Sequence, residues 1–170
     1  MNYVFLSSSS LFSLCSSENL GFRMIFKLIV IVLFMRIVNA VIFNNNKLLC
    51  VKRRKNPYIG MYSLPGGHVE RDESDIDALK RELKEETNLD VEVKISDYIG
   101  EIFISYENIN NLLILYKAKV IAGKERIQVD EISEIKHLSV EFFLSNLEQH
   151  KFPESYKKDL IKFFKLIKII

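Results

Sequence analysis

Between Leu64 and Leu89 the chain reads LPGGHVERDESDIDALKRELKEETNL, and few backbone paths other than a glycine turn feeding one amphipathic helix accommodate it. Pro65 and the pair Gly66-Gly67 close a loop, KNPYIGMYSLPGG, already punctuated by Pro57 and Gly60; such residues favour turns by fixing or freeing φ. Ser74 has the chemistry of an N-cap, and Asp75 and Asp77 fall in the first turn, where negative charge suits the helix dipole. Ile76, Leu79 and Leu83 recur at helical spacing and mark an inner stripe. The helix should stop near Asn88, because asparagine is the usual second choice after glycine for a left-handed residue past a helix end.

The outer face of this helix is acidic. Residues three and four apart share a helix face, so Glu82 neighbours both Glu85 and Glu86. Like charges at that spacing destabilise an isolated helix by a few tenths of a kcal/mol per pair, roughly, which calls for a counter-charge or a cation. Arg81, four residues before Glu85, supplies one counter-charge. Alone, KRELKEETNL also has the pattern of an ordinary solvated helix face, so its surroundings decide.

Those surroundings have an α+β rhythm with no internal repeat. Arg36 to Phe43 is apolar and β-branched, Asn44-Asn45-Asn46 is a turn cluster and KLLCVKR reads as a return strand, which together predict a hairpin. VEVKI, YIGEIFISY, NLLILYKAKVIA and EISEIKHL are strand-like, with a turn expected at 107–111. Two helices close the chain, Val140 to Leu147 opened by Ser139 and Ser155 to Lys168. The last is basic and amphipathic, with the spacing of a packed helix that keeps a solvated lysine face.

A length of 170 residues suits one domain with a full core. A net charge of +2 leaves no footprint for nucleic acid, and Cys15 and Cys50 form neither a disulfide framework nor a metal-ligand spacing. A reducing cytoplasm is the expected compartment. The first 35 residues differ in character: LSSSSLFSLCSSENLGF is serine-rich and aperiodic, the pattern of a disordered leader. MIFKLIVIVLFMRIVNA then imitates a signal peptide, with Lys27 ahead of an apolar run and Val38-Asn39-Ala40 resembling a cleavage site. The uninterrupted apolar run, Leu28 to Met35, is too short to span a bilayer, and cleavage after Ala40 would cut into RIVNAVIF, which reads as a strand. The expectation is a functional domain over 36–150 with a helix at 151–170 packed on it, the true start open among Met1, Met24 and Met35. Export or membrane association through the apolar stretch is the minor alternative.

Read outward from the helix, the residues form Gly67, five residues, Glu73, seven residues, Arg81-Glu82-Leu83, one residue, Glu85-Glu86, one residue, Asn88-Leu89. This resembles the signature of the Nudix hydrolases, a loop-helix-loop that binds divalent metal and a pyrophosphate, and KLLCVKRRKNPYIGMYSLPGGHVE resembles the family's approach to it. The pattern departs at Asn88, where the family has glycine, and at Asp72, where relatives often have glycine. The resemblance implies an α/β fold, an α/β/α sandwich around a mixed β-sheet in a single domain. It also implies Mg²⁺ or Mn²⁺ as cofactor, held by Glu82, Glu85, Glu86 and a backbone carbonyl of the Gly66-Gly67 turn. Hard cations of this kind take oxygen ligands, lower the pKa of bound water and neutralise phosphate charge. By the same resemblance Arg81 and Glu73 orient the carboxylates and Gly67 admits close backbone approach. The catalytic residues are expected among Glu82, Glu85 and a downstream base, Glu131 in preference to Glu134, whose alternative is a solvated strand edge.

Within the cluster Lys52-Arg53-Arg54-Lys55, phosphate contact is a better reading than a nucleic-acid patch. Arg53, Arg54 and Tyr58 are the substrate-binding candidates, with Phe103 and Tyr106 as further aromatics for a base. His68, His137 and His150 are not spaced as a nucleophile's base. RRKNPYIGMYSLPGG looks most like ADP-ribose pyrophosphatases, which release AMP and ribose 5-phosphate. The alternatives are an enzyme for oxidised nucleoside triphosphates or dinucleoside polyphosphates, and a catalytically silent domain that senses a nucleotide. The expected partner is a nucleotide small molecule, with neither nucleic acid nor membrane; relatives commonly dimerise, so a homodimer stays open.

Overall fold

The computed structural model describes residues 35–106, 109–128 and 130–169. The leader up to residue 34 and the first two residues of the turn expected at 107–111 lie outside the described residues, as does the side chain of Tyr106; the rest of that expected turn, 109–111, is instead strand, because it pairs with the strand before it. Among the described residues the order is β1 (Met35–Val41), β2 (Phe43–Asn44), β3 (Lys47–Arg53), β4 (Tyr62–Ser63), β5 (Gly66–His68), α1 (Asp75–Thr87), β6 (Leu89–Glu92), a single 3₁₀ turn (Ile95–Asp97), β7 (Tyr98–Tyr106), β8 (Ile109–Lys117), β9 (Lys119–Gly123), β10 (Ile132–Leu138), α2 (Val140–Gln149) and α3 (Glu154–Leu166).

The strands gather into one sheet ordered β5-β1-β8-β7, a second ordered β10-β3-β2 with β4 on β3, and a ribbon of β6 and β9. In the first sheet β1 and β8 run parallel while β5 and β7 run antiparallel to them. Successive side chains of these strands enter opposite cores. Val38, Ala40, Leu112, Ile114 and Tyr116 meet Ala78, Leu79 and Leu83 of α1. Val41, Leu113 and Leu115 meet Phe143 and Leu147 of α2 and Tyr156, Leu160 and Phe164 of α3. A strand buried on both faces shows no polar alternation, which is why these segments read as continuous apolar runs. The result is the α/β/α sandwich around a mixed sheet that the resemblance implies. The last helix is seated through Phe163, whose ring atoms lie 2.4 Å from where a Cβ on Gly100 would stand. Among the described residues no helix is long and apolar enough to cross a membrane.

Several local expectations change. The hairpin forms only at its tip, where Phe43 pairs with Leu48 and Asn44 with Lys47 across Asn45 and Asn46, at φ 48° and 61°. Beyond the tip, β1 joins β5 and β8 while β3 joins β10 and β4. An apolar strand advertises that both faces are buried and not which strand it will pair with. Gly66 and Gly67 are not a turn but part of β5, paired with Asn39 and Val38. At Gly66, φ is 140° and a Cβ would lie 2.0 Å from the Val38 carbonyl oxygen, so close strand approach requires the glycine. The strand expected at VEVKI begins earlier, at Leu89, directly after the helix cap. NLLILYKAKVIA breaks at Ala118, because its two halves pair with different partners, β1 and β7 on one side and β6 on the other. Ile76 is only half-buried; Ala78, Leu79 and Leu83 make the inner stripe of α1. The final helix runs Glu154–Leu166, a little short of the expected span.

Candidate active site

Helix α1 is held at both ends by the residues its sequence singles out. The Ser74 hydroxyl accepts the Asp77 N–H at 3.2 Å, and Asn88 adopts φ 61° while its N–H donates to the Lys84 carbonyl. Asp72, at φ 64°, takes the left-handed backbone that a glycine would take there, so that departure keeps the shape of the turn.

Arg81 is the hub of the acidic face. Its Nε and one terminal nitrogen donate to the two Glu73 oxygens at 3.0 and 2.9 Å, a two-pronged pair. The same terminal nitrogen donates to the His68 carbonyl, and the other donates to Glu82 at 2.9 Å. Glu85, four residues on, lies 3.6 Å from the guanidinium at the solvent-exposed rim. The Arg81 hydrogen bonds pull the Glu73 carboxyl below its ordinary range and push the guanidinium further up.

Against this frame the strand β5 backbone closes in. A Cβ on Gly67 would stand 2.3 Å from the Glu82 carboxyl carbon, so glycine is what lets that carboxylate lie on the strand. Glu86, 8% exposed, accepts the Gly66 N–H at 2.9 Å. Burial, with Glu82 and Glu131 adding to it, pushes the Glu86 carboxyl up to about 8, against the Gly66 hydrogen bond and Arg53. Burial also raises Glu82, opposed by Arg81 and reinforced by Glu85 and Glu131.

Glu131, 45 residues beyond Glu86 in sequence, is thus within electrostatic reach of Glu82 and Glu86. Its carbonyl accepts the Arg54 N–H at 2.9 Å and its carboxylate pairs with Lys55 at 2.7 Å, a contact that sequence spacing gave no means to find. Arg53 is half-buried, donates from Nε to the Pro57 carbonyl at 2.9 Å, and feels both Glu86 and Glu131. Tyr58, at φ 67°, packs its ring 4.7 Å from Phe152 and lies near Arg53. Phe103 packs beside the α1 core.

Strand alternation splits the basic cluster. Lys52 and Glu134 belong to a separate group around Tyr62, whose hydroxyl donates to Glu134 at 2.7 Å, with Lys136 at 2.8 Å from the same carboxylate. His137 pairs with Glu125 at 2.7 Å, and a Cβ on Gly60 would meet the His150 ring at 3.9 Å.

The donors around β5 and α1 are oxygens, and carboxyls raised by burial and by neighbouring carboxylates are an environment that a hard cation relieves. Among the described residues no three carboxylate, thiol or imidazole groups already surround one ion position. Glu82 and Glu85 lean on Arg81, and Glu86 on the Gly66 N–H. Carboxylates held near one another but not closed on a centre suit a cation that keeps several of its waters.

A mixed sheet between helices, with a capped acidic helix set against a double-glycine strand, defines a class, and the comparisons name it. Residues 33–159 match the family model described as NUDIX domain, so the chain belongs to the Nudix family. A curated relative named ADP-ribose pyrophosphatase, from Methanocaldococcus jannaschii, is 47% identical over 57 residues, 34% of this chain and 34% of the relative. The chain therefore spans about a third of the length of that relative. Among solved structures, a NUDIX hydrolase from Nitrosomonas europaea superposes with a TM-score of 0.67 at 20% identity, covering 78% of this chain and 89% of that one. The MutT protein from Methanosarcina mazei Go1 gives 0.65 at 23% identity over 79% and 96% of the two chains. The NUDIX domain of Shewanella oneidensis NrtR, in a structure described as complexed with ADP ribose, gives 0.54 at 22% identity over 75% and 88%. At such identities these likenesses establish a shared fold.

Proposed function

We propose that this protein is a Mg²⁺- or Mn²⁺-dependent pyrophosphohydrolase that cleaves a nucleoside diphosphate linked to another group, with an ADP-ribose-like substrate favoured. The observation that carries the reading is the packing of Glu82 and Glu86 against the Gly66-Gly67 backbone, with Glu131 and Arg53 beside them. Glu82, Glu85, Glu86 and the Gly66 carbonyl would hold the cation, which when bound supplies neutralisation of phosphate charge and acidification of water. Arg81 keeps Glu82 and Glu85 facing one side of α1, and Glu73 fixes Arg81. Glu131 is assigned to take the proton of the attacking water, because it is the carboxylate from outside the helix whose charge reaches Glu82 and Glu86. Arg53 and Arg54 are assigned to substrate phosphates and Tyr58 to the nucleoside. The name of the Methanocaldococcus jannaschii relative and the bound ligand of the NrtR domain support the choice of ADP-ribose.

Purified full-length chain, assayed with Mg²⁺ or Mn²⁺ against ADP-ribose, NADH, normal and oxidised dNTPs and diadenosine polyphosphates, tests this directly. Release of AMP and ribose 5-phosphate from ADP-ribose, abolished by chelation, is the expected result. Inertness towards all of these with either metal would overturn the hydrolase reading, and tight nucleotide binding alongside it would favour a silent sensor.

A further inference from the structure

The pairing of β6 with β9 ends at Leu89 and Gly123, yet the chain beyond Gly123 continues to run alongside the end of α1. The Arg126 N–H donates to the Thr87 carbonyl at 3.0 Å and the Gln128 N–H to the Glu86 carbonyl at 3.2 Å. Between the Leu89–Gly123 pair and the Thr87–Arg126 bond stands Asn88, whose main-chain N–H is committed to capping the helix on Lys84. Its side chain makes the bond across to the other segment: Asn88 Nδ2 donates to the Lys124 carbonyl at 2.9 Å. The approach is close, since a Cβ on Gly123 would lie 2.4 Å from the Asn88 carbonyl oxygen.

From this docked stretch the chain leads to Glu131. Glu125 meets His137 of β10 at 2.7 Å, and the Gln128 carbonyl receives the N–H groups of Glu131 and Ile132. Segment 123–128 is therefore one of the anchors of Glu131, and the Arg54 N–H and Lys55 hold it from the β3 side.

We infer that Asn88 is a positioning residue, whose side-chain amide docks segment 123–128 on the end of α1 and thereby helps to set the place of Glu131. The family signature has glycine here; glycine satisfies the left-handed backbone but brings no amide. In this chain the departure replaces a purely conformational residue with one that also ties two parts of the site together. The inference rests on the proposed hydrolase activity only where turnover is read.

Asn88→Gly and Asn88→Asp both tolerate φ 61° and both remove the donor, so each should fold. Hydrogen exchange at the Arg126 and Gln128 amides should become about tenfold faster or more in both, while amides in the middle of α1 stay protected. Turnover number for the substrate that wild type cleaves should fall by about tenfold or more, with KM within about twofold, as expected when a reacting group is misplaced. In a Glu131→Gln background the Asn88→Gly change should add no further loss, because its effect passes through Glu131. Unchanged exchange at Arg126 and Gln128 overturns the inference. So does faster exchange with an unaltered turnover number, or a loss that multiplies with that of Glu131→Gln. Wild-type chain that cleaves no nucleotide would instead sink the hydrolase reading, and exchange alone would then decide whether Asn88 holds the segment.

Discussion

Glu86→Gln should make the metal-free protein more stable near pH 8 and leave it between unchanged and about 2 kcal/mol less stable near pH 5. In the fold the Glu86 carboxyl is pushed from 4.5 up to about 8, first by burial. The unfolded chain ionises it at the ordinary value, so the folded state is disfavoured progressively as pH rises from about 4.5, and the penalty levels off above about 8. At roughly 1.4 kcal/mol per pH unit, the cost is under about 1 kcal/mol at pH 5 and about 4 kcal/mol at pH 8. That is a large fraction of the roughly 5–15 kcal/mol that holds a domain folded. Glutamine keeps an oxygen for the Gly66 N–H but leaves a buried amide to satisfy, which returns about 1–3 kcal/mol of the gain. The net expectation is about 1–3 kcal/mol of stabilisation at pH 8, read by urea denaturation in EDTA. Adding Mg²⁺ should raise the melting temperature of wild type at pH 8 and not that of the variant, and metal-dependent turnover should vanish. A variant that is destabilised in EDTA at pH 8 would refute the buried-charge reasoning, and one that retains near-normal turnover would refute the place of Glu86 in the site.

Gly67→Ala puts a methyl group where the Glu82 carboxyl lies; the fold should survive by circular dichroism while Mg²⁺ affinity and turnover fall by about tenfold or more. Arg81→Lys surrenders the two-pronged bond to Glu73 and the bond to Glu82 together, so stability should drop by about 1–3 kcal/mol in chemical denaturation and turnover should fall with it. Gly100→Ala drives a Cβ into the Phe163 ring and should cost about 1–3 kcal/mol, with faster proteolysis of α3 before the rest of the chain.

Elements whose cause is local are legible in the amino-acid order alone. Ser74, Asp75 and Asp77 start α1 and Asn88 ends it because capping and left-handed tolerance are properties of those side chains and their immediate backbone. The span of β3 and the turn at Asn45-Asn46 follow for the same reason. The spacing of Arg81, Glu82, Glu85 and Glu86 on one helix face likewise depends only on the helical repeat.

Contacts between segments far apart in sequence were decided only by the tertiary structure. Apolar runs showed that β1 and β8 are buried on both faces, but their pairing, and the passage of the chain from one sheet to the other at Ile42, depend on which strands meet in the core. Gly66-Gly67 read as a turn because glycine favours turns, whereas here the missing Cβ atoms make room for the Val38 carbonyl and the Glu82 carboxylate. The arrival of Glu131 within electrostatic reach of Glu86, its pairing with Lys55 and the bond from Asn88 to Lys124 join residues that no periodicity links. Sequence by itself determined a capped acidic helix and its Nudix pattern; packing determined what faces that helix, because a side chain's partners are set by the folded path and not by its spacing along the chain.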